Sequence, residues 1–135
     1  KPKEIRAMAG NIITSPELIR SHGNPDLVKT TFSPAVQAGP FVFVSGTGAQ
    51  DTSQDCRGQT EQVFQYISQV LAEAGYALRN VIRVQAFITK VEDYTAYNEV
   101  RRKYFPKDPP ASATLVADFV RQGLLVEVEA VAYKE

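Results

Sequence analysis

The sequence has very little of the side-chain chemistry on which many enzymes depend. Its 135 residues include one cysteine, one histidine and no tryptophan. The lone Cys56 excludes an internal disulfide, and the lone His22 excludes a metal site built from several histidines. A catalytic triad would depend on His22 alone, which lies in a Ser-His-Gly-Asn-Pro segment typical of a solvated turn. Cys56 has no histidine near it in the sequence, which favours a structural thiol over a nucleophile.

An excess of charge of either sign is also absent. Fifteen Lys and Arg residues balance fifteen Asp and Glu residues. Such a chain has no broad field to attract nucleic acid or anionic lipid, so we predict neither partner. No apolar run is long enough to span a bilayer, and the sequence contains no basic-then-apolar segment of the kind found in signal peptides. We therefore expect a cytoplasmic protein, although a start at Lys1 without methionine leaves a removed leader open.

The length and the 44% apolar content predict one domain with an ordinary core. We assign residues 29–135 to this domain and residues 1–28 to an N-terminal extension. A weak helical pattern covers residues 5–19 and is interrupted by Pro16, and a short strand is predicted at residues 29–32. The stronger patterns that follow are strands at 41–46, 80–89, 113–119 and 124–133 and helices at 59–75 and 92–104.

The predicted order is β-β-α-β-α-β-β, which indicates a two-layer α/β sandwich: a mixed sheet with two helices on one face. The other face of the sheet then has no cover within the chain. Since several strands carry apolar residues on both faces, we expect that face to be buried against other copies of the chain.

Two carboxylates stand at alternate positions of the apolar last strand. Glu127 and Glu129 share a face of that strand, because strand side chains alternate. Ionised carboxylates in such a place need partners or face a cavity. Glu127 is therefore the first candidate for chemistry, and a structural carboxylate at a subunit interface is its alternative. For Glu129 the structural interpretation is preferred.

Several segments, in this order and spacing, resemble the RidA/YjgF (Rid, reactive intermediate deaminase) family, which is also described as endoribonuclease L-PSP-like. The resemblance covers about residues 32–132. It rests on FVFVSG (41–46), QT (59–60), AEAG (72–75), VQAFIT (84–89), YNEV (97–100), YF (104–105), PA (110–111) and VEVEAVA (126–132).

The resemblance implies an α+β, chorismate-mutase-like fold and a homotrimer whose sheets form a central barrel with a cleft between each pair of subunits. It implies deamination of small enamine or imine metabolites, such as 2-aminoacrylate or 2-iminobutanoate, without cofactor or metal. It also implies that Glu127 holds or polarises the attacking water. The substrate-binding residues that it implies are Phe32, Ser45, Gly46, Asn98, Ser112 and Thr114.

Some of these positions have structural alternatives. Ser45 and Gly46 also fit an ordinary strand end, and Asn98 also fits a helix brace. Two positions depart from the family pattern: Ser112 replaces an arginine that grips the substrate carboxylate, and Phe32 replaces a tyrosine. Other arginines are candidates to substitute for the missing one, and the plainer interpretation places them on solvated surfaces: Arg57, Arg101, Arg102 and Arg121.

Three functions remain open at this point. The first is a deaminase or hydrolase that acts on a small imine, enamine or related electrophile. Because the arginine is missing, we expect a substrate other than 2-iminobutanoate. The second is a trimer that binds a small metabolite without turning it over. The third is a nuclease, which the neutral charge and the lack of a histidine pair or metal cluster oppose.

Overall fold

The computed structural model describes residues 10–15, 18 and 31–135. Short 3-10 turns at Leu78–Asn80 and Val91–Asp93 lie directly before Val81, where a strand begins, and Tyr94, where a helix begins. The regular elements are β1 (Asn11–Ile13), β2 (Ala35–Ala38), β3 (Phe41–Gly48), α1 (Cys56–Glu73), β4 (Val81–Ile88), α2 (Tyr94–Tyr104), β5 (Ala111–Val116) and β6 (Val126–Tyr133). From β2 onward their order confirms the predicted one, and β1 is an additional strand.

The strands form one mixed sheet in the order β1-β2-β3-β6-β4-β5. The β4–β5 pair is parallel and the other pairs are antiparallel. Helices α1 and α2 pack against each other, and α1 packs on β3 and β6. The predicted sandwich, with both helices on one face of a mixed sheet, is confirmed. In the described part of the chain neither helix has the length and apolar character to cross a membrane.

The core lies between the helices and the inner face of the sheet. Strand β6 alternates as predicted: one set of its side chains is buried under the helices, and the set that includes Glu127 and Glu129 faces the other way. The buried residues of β6 and α1 are Val126, Val128, Ala130, Ala132, Cys56, Gln59, Thr60, Val63, Phe64, Ile67, Val70 and Leu71.

The ends of α1 are fixed by local hydrogen bonds. The helix begins at Cys56, earlier than predicted, because the Asp55 carboxylate accepts the Gly58 N–H at 2.9 Å and caps the first turn. It ends where Gly75 adopts a φ of 77°. The N–H groups of Gly75 and Tyr76 then donate to carbonyls of the last turn, as in a Schellman motif. The predicted glycine cap is confirmed.

Two predictions for the N-terminal part are wrong where the structure describes it. Asn11–Ile13, inside the predicted helix, form β1 and pair with β2. Thr31 and Phe32 form a bend, and the strand begins beyond Pro34 at Ala35. Ala-Val-Gln-Ala has little strand preference of its own, and it becomes a strand because β1 and β3 pair with it on either side. His22 and the predicted boundary at 28/29 lie outside the described residues, so that boundary stays a prediction.

The last two strands begin at positions set by long-range contacts. Strand β5 starts at Ala111, two residues early, because it pairs in parallel with β4 from Arg83 onward. Strand β6 starts at Val126, two residues late. The Leu125 N–H donates to the Gln59 side-chain carbonyl at 2.9 Å and not to a neighbouring strand.

The outer face of the sheet combines aromatic and charged side chains. Phe41 and Phe43 are 37% and 48% exposed, and Phe41 packs against Tyr133 with ring centroids 5.2 Å apart and the ring planes tilted by 53°. No element of the described residues covers this face, so its burial against other copies stays a prediction.

Candidate functional site

A β-bulge shapes the strand beside Glu127. Val44 pairs with Ala130 and Thr47 pairs with Val128, so two residues of β3, Ser45 and Gly46, stand opposite one residue of β6. The Ser45 hydroxyl donates to the carbonyl of Ser33 at 2.5 Å. The bulge is therefore tied to the bend that carries Phe32.

Gly46 allows the Glu127 carboxyl group to approach the backbone. A Cβ atom at position 46 would lie 3.0 Å from Glu127 Oε2 and 3.1 Å from its Cδ. These distances are tighter than ordinary contacts, so an alanine here would displace the carboxyl group. Ser45, Gly46 and Glu127, three of the residues predicted for the site, thus lie together on the outer face.

The surroundings of Glu127 increase the affinity of its carboxylate for a proton. Burial raises the pKa of Glu127 above its ordinary value of 4.5, the charge of Glu129 raises it further, and Arg121 opposes both. Burial lowers the pKa of Arg121, with Glu127 opposing. The Arg121 guanidinium also donates to the Ala49 carbonyl, which holds the loop before β6 next to the end of β3.

Apolar side chains continue the row in which Glu127 stands. The strand register places Phe87 of β4 beside Glu127 and Leu115 of β5 beside Phe87, all on the outer face. A carboxylate with a raised pKa, next to apolar neighbours and a glycine backbone, is an arrangement that can hold a water and take its proton.

The other predicted binding residues lie on the opposite face of the sheet. Ser112 and Thr114 pair with Val84 and Ala86, whose side chains are buried under the helices. Asn98 projects from α2 toward the same side. A single residue joins two of them: Arg101 donates to Ser112 Oγ at 2.7 Å and to Asn98 Oδ1 at 2.7 Å.

Aromatic residues of α2 support the Arg101 side chain. Its Cζ lies 5.1 Å from the centre of the Tyr97 ring, within cation–π range. Tyr97 is fully buried. Burial raises the pKa of Tyr97 to about 12, although the Arg101 charge opposes this rise. The expectation that Arg101 only lines a solvated helix face therefore differs from its position in the structure.

Within one chain the predicted site residues form two groups on opposite sides of the sheet. Ser45, Gly46 and Glu127 form the outer group. Phe32, which is 63% exposed, directly precedes Ser33, whose carbonyl accepts the hydrogen bond from Ser45. Asn98 and Ser112 form the inner group around Arg101, and Thr114 lies on the same face. The structure brings each group together but does not bring the two groups together in one chain.

Cys56 has the environment of a structural thiol. It is buried, and its Sγ lies 3.9 Å from the Thr60 hydroxyl. Burial raises the pKa of this thiol, which disfavours the reactive thiolate. Among the described residues no three His, Cys, Asp or Glu side chains are grouped as metal ligands.

Sequence reasoning missed Gln59, a fully buried residue of α1. Its amide nitrogen donates to the carbonyls of Gln54 and Gly123, both at 3.0 Å, and its oxygen accepts from Leu125. Gln59 thereby joins the loop after β3 to the loop that carries Arg121. The signal was present: residue 59 precedes Val63 and Ile67 at helical spacing, so a polar side chain stands in the apolar stripe of α1.

Comparisons with known proteins agree with this fold. The family model described as Endoribonuclease L-PSP matches residues 25–134. A RutC family protein of Pyrococcus horikoshii is 34% identical over 110 residues, which are 77% of this chain and 87% of that protein. The 3-aminoacrylate deaminase RutC of Acinetobacter baylyi is 31% identical over 123 residues, which are 87% of this chain and 97% of that protein.

A solved structure extends the likeness to three dimensions. The Mycobacterium tuberculosis protein Rv2704, a member of the YjgF/YER057c/UK114 family, superposes with a TM-score of 0.75 at 31% identity. The match covers 83% of this chain and 95% of that one. The chain therefore belongs to the RidA/YjgF (Endoribonuclease L-PSP) family.

Proposed function

We propose that this protein hydrolyses the C=N bond of small imines, including the imines that form when an enamine metabolite takes up a proton at its β-carbon. The observation that carries the proposal is the Glu127 carboxyl group, which is partly buried against Gly46 and has a pKa raised by burial. The Acinetobacter relative named 3-aminoacrylate deaminase supports a substrate of this chemical class.

The reaction needs only water and a base. Glu127 accepts a proton from the water while the water oxygen bonds to the imine carbon, and the nitrogen takes up a proton from solvent as the C=N double bond becomes single. The resulting carbinolamine then loses ammonia as its C–N bond breaks and its hydroxyl proton passes to solvent, which gives a carbonyl compound. Protonated Glu127 returns its proton to the departing nitrogen.

The cleft that we propose needs two chains. Glu127 and Asn98 lie on opposite sides of one sheet, so a substrate that touches both groups meets the outer face of one copy and the helix side of another. The exposed aromatic residues Phe41 and Phe43 support burial of the outer face. We propose a homotrimer, in line with the family resemblance.

A coupled assay tests the proposed reaction. An amino-acid dehydratase supplies 2-iminobutanoate from threonine, and the formation of 2-oxobutanoate is followed with and without this protein. We expect acceleration over buffer with 2-iminobutanoate or with 2-aminoacrylate supplied in the same way from serine, and light scattering at micromolar concentration should give about three times the 14.9 kDa chain mass. Properly folded protein that gives no acceleration with 2-iminobutanoate or 2-aminoacrylate would contradict the proposal. In that case ligand binding without turnover would favour the binding module.

The raised pKa of Glu127 predicts a characteristic pH profile. Because the ionised carboxylate is the active form, kcat/KM should rise with pH through a pKa above 4.5. Replacing Glu129 with Gln removes a like charge, so the rise of kcat/KM should occur at lower pH. Glu73→Gln, at the exposed end of α1, removes a carboxylate elsewhere and should leave the profile in place. This electrostatic account would be contradicted if kcat/KM of Glu129→Gln rose at the same pH as in the wild type or at a higher pH.

A further inference from the structure

The guanidinium group of Arg101 is held in one orientation by neutral oxygen atoms. Nη1 donates to Ser112 at 2.7 Å, and Nη2 donates to Asn98 at 2.7 Å and to the Tyr94 hydroxyl at 3.4 Å. The Tyr97 ring lies beneath it. These contacts come from α2 and from the edge strand β5, so both elements position the group.

The charge of Arg101 has no acidic partner within salt-bridge distance in the part of the chain that the structure describes. Its neighbours on the same surface differ: Arg57 pairs with Glu99 at 2.7 Å and Lys103 pairs with Glu61 at 2.6 Å. Carboxylates therefore neutralise Arg57 and Lys103, whereas Arg101 keeps an uncompensated charge while neutral groups fix its geometry.

We propose that Arg101 binds the carboxylate of a small organic acid at the edge formed by α2 and β5. A guanidinium has five N–H donors, and the three contacts to neutral oxygens leave two for an incoming anion. Ser112 is exposed, so solvent and small ligands reach this edge. A single guanidinium among neutral neighbours matches one singly charged carboxylate better than a phosphate, for which several donors or cations usually converge.

The assignment rests on the proposed function and narrows its substrate class. The substrate of the C=N hydrolysis is then an imino or enamino acid, not an uncharged imine. The guanidinium comes from α2 and not from the position of Ser112, where the family places it. Serine accepts a hydrogen bond from Arg101 and has no charge to repel it, so Ser112 is compatible with this position of the cation.

Binding of 2-oxobutanoate, measured by calorimetry or by NMR titration, tests the assignment without turnover. We expect Arg101→Gln to weaken binding roughly 10- to 100-fold, since charge-assisted hydrogen bonds are lost. Arg102→Gln removes the same charge from the next, exposed residue and should bind like the wild type. The uncharged amide of 2-oxobutanoate should bind equally to all three proteins.

Two further variants separate loss of charge from loss of the guanidinium shape, and loss of binding from loss of turnover. Arg101→Lys keeps the charge and loses the planar fork, so its affinity should lie between those of the wild type and Arg101→Gln. If Arg101→Gln does not fold, Arg101→Lys tests the assignment in its place. Glu127→Gln should still bind 2-oxobutanoate, which separates loss of chemistry from loss of binding. Wild-type protein that does not bind 2-oxobutanoate would overturn the assignment whatever its turnover of imines. Equal affinity of Arg101→Gln and Arg102→Gln would overturn it as well.

Discussion

Replacing Glu127 with Gln should lower kcat for imine hydrolysis roughly 100- to 10,000-fold, the usual contribution of a positioned general base. Glutamine has nearly the same shape, so the contact with Gly46 and the fold should persist. An amide does not accept a proton from water at neutral pH, so the base is lost while the cleft remains. The coupled dehydratase assay gives the rate, and circular dichroism and light scattering check fold and assembly.

Glu129→Gln is the matched control for this variant. It removes a carboxylate from the same strand and the same face, two residues away, where the side chain is more exposed. We expect it to keep turnover within a few-fold at neutral pH. If Glu127→Gln retained wild-type turnover, or if both variants lost it equally, Glu127 would not be the group that handles water.

Replacing Gln59 with Ala should destabilise the protein by about 2–4 kcal/mol. The variant removes the hydrogen bonds of the Gln59 amide to the carbonyls of Gln54 and Gly123 and from the N–H of Leu125, and each such bond contributes about 0.5–1.5 kcal/mol. Urea denaturation followed by circular dichroism measures the loss. Its physical origin is the broken link between two loops, not a change in helix propensity.

The control for Gln59 lies on the same helix. Gln69→Ala makes the same substitution at an exposed position of α1, so it contains the same change in helix propensity and should stay within about 0.5 kcal/mol of wild type. Gln59→Leu removes the amide while keeping most of the volume, so it should be destabilised as well. Equal stability of the Gln59 and Gln69 variants would show that the loops do not depend on this amide.

Local patterns determined the strongest elements of this protein. The alternation of β6 was readable because neighbouring strand side chains always point to opposite faces, and this placed Glu127 and Glu129 away from the core before any fold was known. The apolar stripe of α1 and its glycine cap were readable for the same reason. Each depends on residues within a few positions of one another.

Long-range pairing decided the remaining features. Ala35–Ala38 form a strand because two other strands flank them. The bulge at Ser45 and Gly46 exists because β3 has one residue more than β6 between two paired positions. Neither this strand nor this bulge can be predicted from residues that are close together in the sequence.

The division of the predicted site residues between two faces also required the tertiary structure. Sequence similarity placed Glu127, Asn98 and Ser112 in one cleft, but only the order of the strands and the side of the helices put the carboxylate on the outer face and the other two around Arg101. The sequence by itself determined the pattern of apolar and polar residues along β6 and α1. The tertiary structure decided which of them meet, because contacts between distant segments depend on the arrangement of the whole sheet.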